Sequence, residues 1–425
     1  MRILISAGEA SGEMYGAQLM TALRAQFSGE TSLQTAPAER SSPASSAAFA
    51  GEDAGATSAL EFFGVGGDKM RAAGCDIVVD ARELAVVGIT EILSHLPKIW
   101  GRFHQLIEEA DRRKPGLAIV IDSPAFNWRV AREMKQRGVP VVYYVCPQFW
   151  AWRQGRVKLL RKYVDKALVI FPFEEKFYRD RGVDAEFVGH PLAELPQPDI
   201  TRAAYAAQFR LDPARHWITL MPGSRVKEVR MNLATIIDAS VLLGKDYEYL
   251  LPVAPTLDRD FLWREIRRES SDHGASSRTE LPNIHLVPEA PAALHHSRAG
   301  IIASGTATVE AAMMETPFVM VYRVTPLTYL LGRSTVKVPY FAMVNLIAEH
   351  RVVPELVQQD FTADAVVREL NRVIADGPER ERMLNGLRKI RAKLRGAEGS
   401  GGRAAAKAAK AIAAMKLKPA PAVEI

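Results

Sequence analysis

Leu117-Ala118-Ile119-Val120-Ile121-Asp122-Ser123-Pro124-Ala125-Phe126-Asn127 decides the fold class of this chain. Five apolar residues in a row read as a strand buried on both faces. The run ends on a carboxylate and a serine, and Pro124 suits the first turn of a helix. A second stretch repeats the design. Ile218-Thr219-Leu220-Met221 runs into Pro222-Gly223-Ser224-Arg225, and a helical pattern extends from Val226 to Leu243. In open α/β sheets, ligands bind just beyond the carboxyl ends of the strands. One half of the chain thus presents a carboxylate at a strand tip. The other half presents a glycine-serine-arginine turn ahead of a helix, a suitable cradle for phosphate. A base on one side and an anion site on the other suggest group transfer from a phosphate-bearing donor.

Outward from these two stretches, short apolar runs alternate with amphipathic ones. Strands are expected near 2–7, 61–65, 76–79, 117–122, 140–145, 167–170 and 185–188, then near 216–221, 248–253, 284–287, 299–303 and 318–321. This is the βαβ pattern of doubly wound parallel sheets. Residues 1–190 form the first expected domain, 191–200 a linker with three prolines, and 201–395 the second domain. Within 28–60, Ser, Ala, Gly, Thr and Pro supply 24 of 33 positions, so this stretch reads as a disordered insertion. Residues 271–280 read as a smaller flexible loop, and 396–425, rich in Gly, Ala and Lys, as a flexible tail.

The chain has 425 residues, enough for two ordinary domains, and 48% of them are hydrophobic. A formal charge of +6 fits nucleic acid, anionic membrane or phosphorylated substrates about equally. Lys and Arg are scattered and no RNA-binding aromatic motif occurs, which argues against nucleic acid. Cys75 and Cys146 imply neither disulfide framework nor zinc site, and a cytoplasmic setting is the default.

Asp122 has two readings, a cap for the following helix or a general base at the cleft. Gly223 lets the backbone approach a ligand, Ser224 can cap the helix, and Arg225 offers a forked donor for phosphate oxygens. Ser304-Gly305-Thr306 also follows an apolar strand and suits a phosphate or ribose nearby. Glu310 sits among Val309, Ala311 and Ala312 and needs a partner, which sugar hydroxyls would supply. No G-x-G-x-x-G follows the first strand and no Walker lysine motif occurs. Over 84–103, Ile92, Leu93, Leu96, Ile99 and Trp100 fall on one helical face, facing either the core or a membrane interface.

Seven blocks in this order resemble the lipid A disaccharide synthase family: Ala7-Gly8-Glu9-Ala10-Ser11-Gly12-Glu13, Glu83 to Gly88, Ile121 to Asn127, Trp150-Ala151-Trp152-Arg153, Phe187 to Pro191, Leu220 to Arg225 and Ala303 to Ala307. The resemblance implies two Rossmann-like doubly wound domains facing a cleft, the GT-B arrangement. It implies an inverting glycosyltransferase that joins UDP-2,3-diacylglucosamine to 2,3-diacylglucosamine 1-phosphate, giving the β-1',6-linked disaccharide 1-phosphate and UDP. No metal or cofactor is implied. Asp122 and Arg225 match essential positions. Gly8, Ser11, Gly12, Gly223, Ser224, Ser304, Gly305, Thr306, Glu310 and Asn345 match the substrate and nucleotide region. The acylated substrates favour the membrane reading of Ile92, Leu93, Leu96, Ile99 and Trp100, on the cytoplasmic face of the inner membrane, and a homodimer is compatible. Two positions depart from the family pattern: Ala125 stands where a second aspartate is commoner, and Glu13 replaces an aspartate. Rivals are another UDP-sugar enzyme of the same architecture and a basic RNA- or membrane-binding protein.

Overall fold

A computed structural model describes residues 1–28, 60–84, 89–194, 196–273, 282–325, 329, 338–395 and 403–415, with the backbone alone at 10, 89–95 and 269–273. The first sheet holds β1 (Arg2–Ala7), β2 (Glu61–Gly66), β3 (Cys75–Asp80), β4 (Leu117–Ile121), β5 (Val141–Tyr144), β6 (Lys166–Val169) and β7 (Ala185–Phe187). Its order is β3-β2-β1-β4-β5-β6-β7 and every pairing is parallel. The second holds β8 (His216–Met221), β9 (Tyr247–Pro252), β10 (Ile284–Val287), β11 (Ala299–Ala303), β12 (Phe318–Tyr322) and β13 (Glu355–Val357), in the order β10-β9-β8-β11-β12-β13, again parallel. Every expected strand is present. The additional one, β13, is a three-residue edge strand too short to show a pattern.

Both sheets reverse their winding direction at a switch point, between β1 and β4 in the first and between β8 and β11 in the second. These are the places where such sheets open a crevice for ligands. All five residues of β4 are buried, as are five of the six in β1, because helices cover both faces. The helix following β1, α1 (Ala10–Ser28), packs against the sheet through Tyr15, Leu19, Met20 and Leu23. Two further helices open the N-terminal half, α2 (Asp68–Ala72) and α3 (Ile89–Arg113). The helix after β4, α4 (Pro124–Gln136), buries Phe126, Asn127, Val130, Ala131 and Met134.

The linker and tail expectations need correction. Pro191–Glu194, the start of the expected linker, form a short 3-10 turn in which Pro191, Leu192 and Ala193 are buried. Leu195 and most of 28–60 lie outside the described residues, as does most of 271–280. The tail contains a helix, Ala404–Ala413, that buries Ala404, Ala405, Ala408, Ala409, Ala411 and Ile412 and packs along α1. Its alanines suit both roles: high helix propensity and side chains small enough for close helix–helix approach. The Glu194 carboxylate accepts from the Ala404 N–H at the start of that helix, where negative charge is favoured. This helix therefore returns the chain to the first domain.

The helix α3 contains Pro97. Its second half faces the core through Phe103, Leu106, Ile107 and Ala110, whereas Leu96 is 49% and Trp100 53% exposed. Ile99 is half-buried, and the side chains of Ile92 and Leu93 lie outside the described residues. Among the described residues no helix is long and apolar enough to cross a membrane.

Candidate active site

At the first switch point, the tips of β1 and β4 touch. A Cβ on Gly8 would lie 2.5 Å from Ser123 Oγ, so only glycine permits this approach. Beyond β4 the chain turns through two consecutive left-handed residues, Asp122 with φ 47° and Ser123 with φ 46°. For non-glycine residues such geometry costs about 1–2 kcal/mol each and persists only when neighbours enforce it. The buried Asn127 does so. Its Nδ2 donates to the carbonyls of Ile121 at 2.8 Å, Asp122 at 2.9 Å and Ser6 at 3.2 Å, while its Oδ1 accepts from the Ser6 hydroxyl at 2.6 Å. The Tyr143 hydroxyl adds a second bond to the Asp122 carbonyl at 2.8 Å. These bonds hold the main chain and leave the carboxylate aimed past the strand end.

The Asp122 carboxyl is pushed up to about 6, first by burial and next by the charge of Glu9; the Ser123 N–H and Arg225 offset part of this. Ser123 stands at the start of α4 and makes no side-chain cap bond. Glu13 is tied to the next helix. Its Oε1 accepts from the Lys69 N–H at 2.5 Å and so caps α2.

At the second switch point, Gly223 adopts φ 129° and opens the turn before α8 (Val226–Leu243). Arg225, 70% exposed in its side chain, pairs with Glu228 at 2.8 Å. The charges of Glu9 and Asp122 both act on its guanidinium, so the turn after β8 lies near the tip of β4. The tip of β11 contributes Gly305, φ 139°, ahead of α11 (Thr306–Met313). On α11, burial pushes the Glu310 carboxyl up to about 7. The Tyr15 phenol on α1 is raised by burial and then by the charges of Glu310 and Asp122.

The chain matches the family model described as lipid-A-disaccharide synthetase over residues 3–409. This chain belongs to that family. It is 50% identical over 394 residues to the lipid-A-disaccharide synthase of Koribacter versatilis, covering 93% of each chain. It is 47% identical over 395 residues to that of Acidobacterium capsulatum, covering 92% of this chain and 91% of the relative. In fold it is similar to the calicheamicin glycosyltransferase CalG4, with a TM-score of 0.53 at 16% identity over 97% of each chain. The family member is an enzyme with the GT-B architecture.

Within this enzyme the expected site residues separate into two groups. Asp122, Gly223, Ser224, Arg225, Gly305 and Thr306 follow the tips of β4, β8 and β11, Glu310 lies on the helix that starts at Thr306, and Gly8 follows β1 in the supporting contact. Ser11 is exposed on the first turn of α1. Gly12 is buried instead, and a Cβ there would rest on Ala7 and Ile121. The Ser304 hydroxyl is committed to the Phe341 carbonyl at 2.8 Å. Asn345 needs correction. It is fully buried, donating to Val353 O at 2.9 Å and Glu355 Oε1 at 2.8 Å and accepting from the N–H groups of Val352 and Val353. Its polar capacity is used inside the protein, where it fixes Glu355, which in turn holds the Phe341 and Ala342 amides.

Sequence reasoning passed over Tyr15, Glu228 and the clamp role of Asn127. Asn127 is four residues after Ser123, the reach of one helical turn, and Glu228 stands at the third position of its helix, where a glutamate reaches back to the turn. Nothing in the sequence marks Tyr15, because its importance arises from the opposite domain.

Proposed function

We propose that this enzyme joins UDP-2,3-diacylglucosamine to 2,3-diacylglucosamine 1-phosphate, with Asp122 as general base and Arg225 as the cation that meets the leaving diphosphate. Formation of the lipid A disaccharide is the activity of the family to which the chain belongs. The observation carrying the residue assignment is that Asp122 and Arg225, each in the turn at its own sheet's switch point, lie near enough for their charges to act on each other.

In this reading the acceptor hydroxyl approaches the anomeric carbon from the face opposite UDP, and Asp122 takes its proton as the new bond forms. Its raised pKa suits the task, being ionised at neutral pH yet more basic than a solvated carboxylate. Arg225 and the N-terminus of α8 balance the charge that grows on UDP, without a metal. Ser224, Gly305 and Thr306 line the donor side, and Glu310 takes donor hydroxyls. Closure of the cleft excludes water, which would otherwise hydrolyse the donor. The exposed Leu96 and Trp100 of α3 rest on the cytoplasmic surface of the inner membrane, where both acylated substrates reside.

The test is incubation of the two acylated substrates with the wild type, Arg225→Ala and Arg225→Lys, with mass detection of disaccharide. Arg225→Ala should lose donor binding and turnover together, and Arg225→Lys should recover part, because lysine keeps the charge without the planar fork. Full activity in the alanine variant would remove Arg225 from the site.

A further inference from the structure

Glu228 holds, with its two oxygens, two donors of the Ser224 turn. Its Oε1 accepts from Arg225 Nη1 at 2.8 Å and its Oε2 from the Ser224 N–H at 3.0 Å. The turn is shaped around this carboxylate, since a Cβ on Gly223 would lie 2.5 Å from Glu228 Cβ. Other polar groups of the turn are tied inward. Asn232 Nδ2 donates to the Pro222 carbonyl at 2.8 Å, and the Thr256 hydroxyl donates to the Ser224 carbonyl. Helix capping alone would account for the Ser224 contact. It does not account for the second oxygen on Arg225, the residue whose guanidinium senses Glu9 and Asp122 across the cleft.

We propose that Glu228 is a positioning residue that exchanges with the donor diphosphate. It aims Arg225 across the cleft, yields the Ser224 N–H and part of the guanidinium to phosphate oxygens, and recovers them as UDP leaves. The inference rests on reading Arg225 and its turn as the diphosphate site. A carboxylate and a phosphate that share two donors each weaken the other's hold, and the coupling is reciprocal. Neutralising Glu228 therefore has two opposed effects. UDP loses a competitor and binds more tightly. Arg225 loses its fixed orientation, and the transition state is met less well.

Glu228→Gln keeps the size of the side chain and an acceptor for the Ser224 amide. In the full-length enzyme it should lower the UDP dissociation constant about two- to tenfold, an effect that shrinks with added salt. It should also lower kcat about tenfold while leaving the melting temperature unchanged. Glu228→Asp keeps the charge with a shorter reach, so UDP affinity should stay near wild type while turnover falls. Unchanged or weaker UDP binding in Glu228→Gln would overturn the exchange, as would unchanged kcat. Arg225→Ala separates the two readings. If it binds UDP like wild type, the diphosphate site itself is misplaced. If it loses UDP binding while Glu228→Gln matches wild type, only the exchange fails.

Discussion

Asn127 Nδ2 donates to the carbonyl of Asp122 at 2.9 Å, and this bond ties the left-handed strand tip to the floor of the sheet. The same amide group serves Ile121 and Ser6, so one side chain fastens the ends of β1 and β4 together. A strained backbone at the proposed base is thereby held by a residue that never reaches the substrate.

Asn127→Ala should leave several buried partners unsatisfied. The expected cost is about 1–3 kcal/mol in stability, with a fall in kcat larger than any rise in KM, because the carboxylate loses its aim. Chemical denaturation and steady-state kinetics on one preparation check both parts. A variant as stable and as fast as wild type would show that the clamp is dispensable.

The pH dependence follows from burial and Glu9, which raise the Asp122 carboxyl to about 6. A base must be ionised, so kcat/KM should fall tenfold per pH unit below about 6. Arg225 lowers that pKa, so Arg225→Ala should move the acid limb upward. For stability the sign is reversed from an ordinary ion pair. The folded state binds this proton more tightly than the unfolded chain, so the unfavourable effect is absent below about pH 4 and grows as pH rises through 6. Asp122→Asn should therefore melt above wild type at pH 8 and converge with it near pH 4.

Asn345 and Glu310 should behave oppositely. Asn345→Ala breaks a closed internal network and should cost about 1–3 kcal/mol, with the Tm falling before the donor KM changes. Glu310→Gln removes a largely buried charge whose carboxyl is raised to about 7, so at pH 8 it should melt at or above wild type while raising the donor KM. A normal Tm with a raised donor KM in Asn345→Ala would return Asn345 to the donor site.

Much of this was legible from the sequence, for a definable reason. Unbroken apolar runs such as 117–121 and 299–303 mark strands covered on both faces, and the turns after them locate a cleft without any tertiary information. Local signals failed where a residue's role depends on distant partners. Asn345 entered through the family resemblance alone, and its bonds run to Val353 and Glu355. The alanine-rich stretch 404–413 has composition suited to a free helix, and only the facing surface of α1 makes it structural.

The exposed Leu96 and Trp100 of α3 separate membrane contact from core packing. Leu96→Ser with Trp100→Ser should weaken binding to vesicles and improve solubility at an unchanged Tm. Phe103→Ala, one turn further and buried, should instead cost about 3–5 kcal/mol. Sedimentation with vesicles and thermal melts distinguish the two. A large stability loss in the Leu96 and Trp100 variant would place those side chains in the core.

Turnover of Asp122→Asn at saturating donor and acceptor, measured beside its melting temperature, tests the assignment of the base most directly. Asparagine keeps the size of the side chain and removes its capacity to take a proton. The account predicts a rate about 10²- to 10⁴-fold below wild type, in a protein that melts at or above the wild-type temperature at neutral pH. Turnover within a few-fold of wild type in an equally stable protein would contradict it, and Glu9 would then be the carboxylate to test.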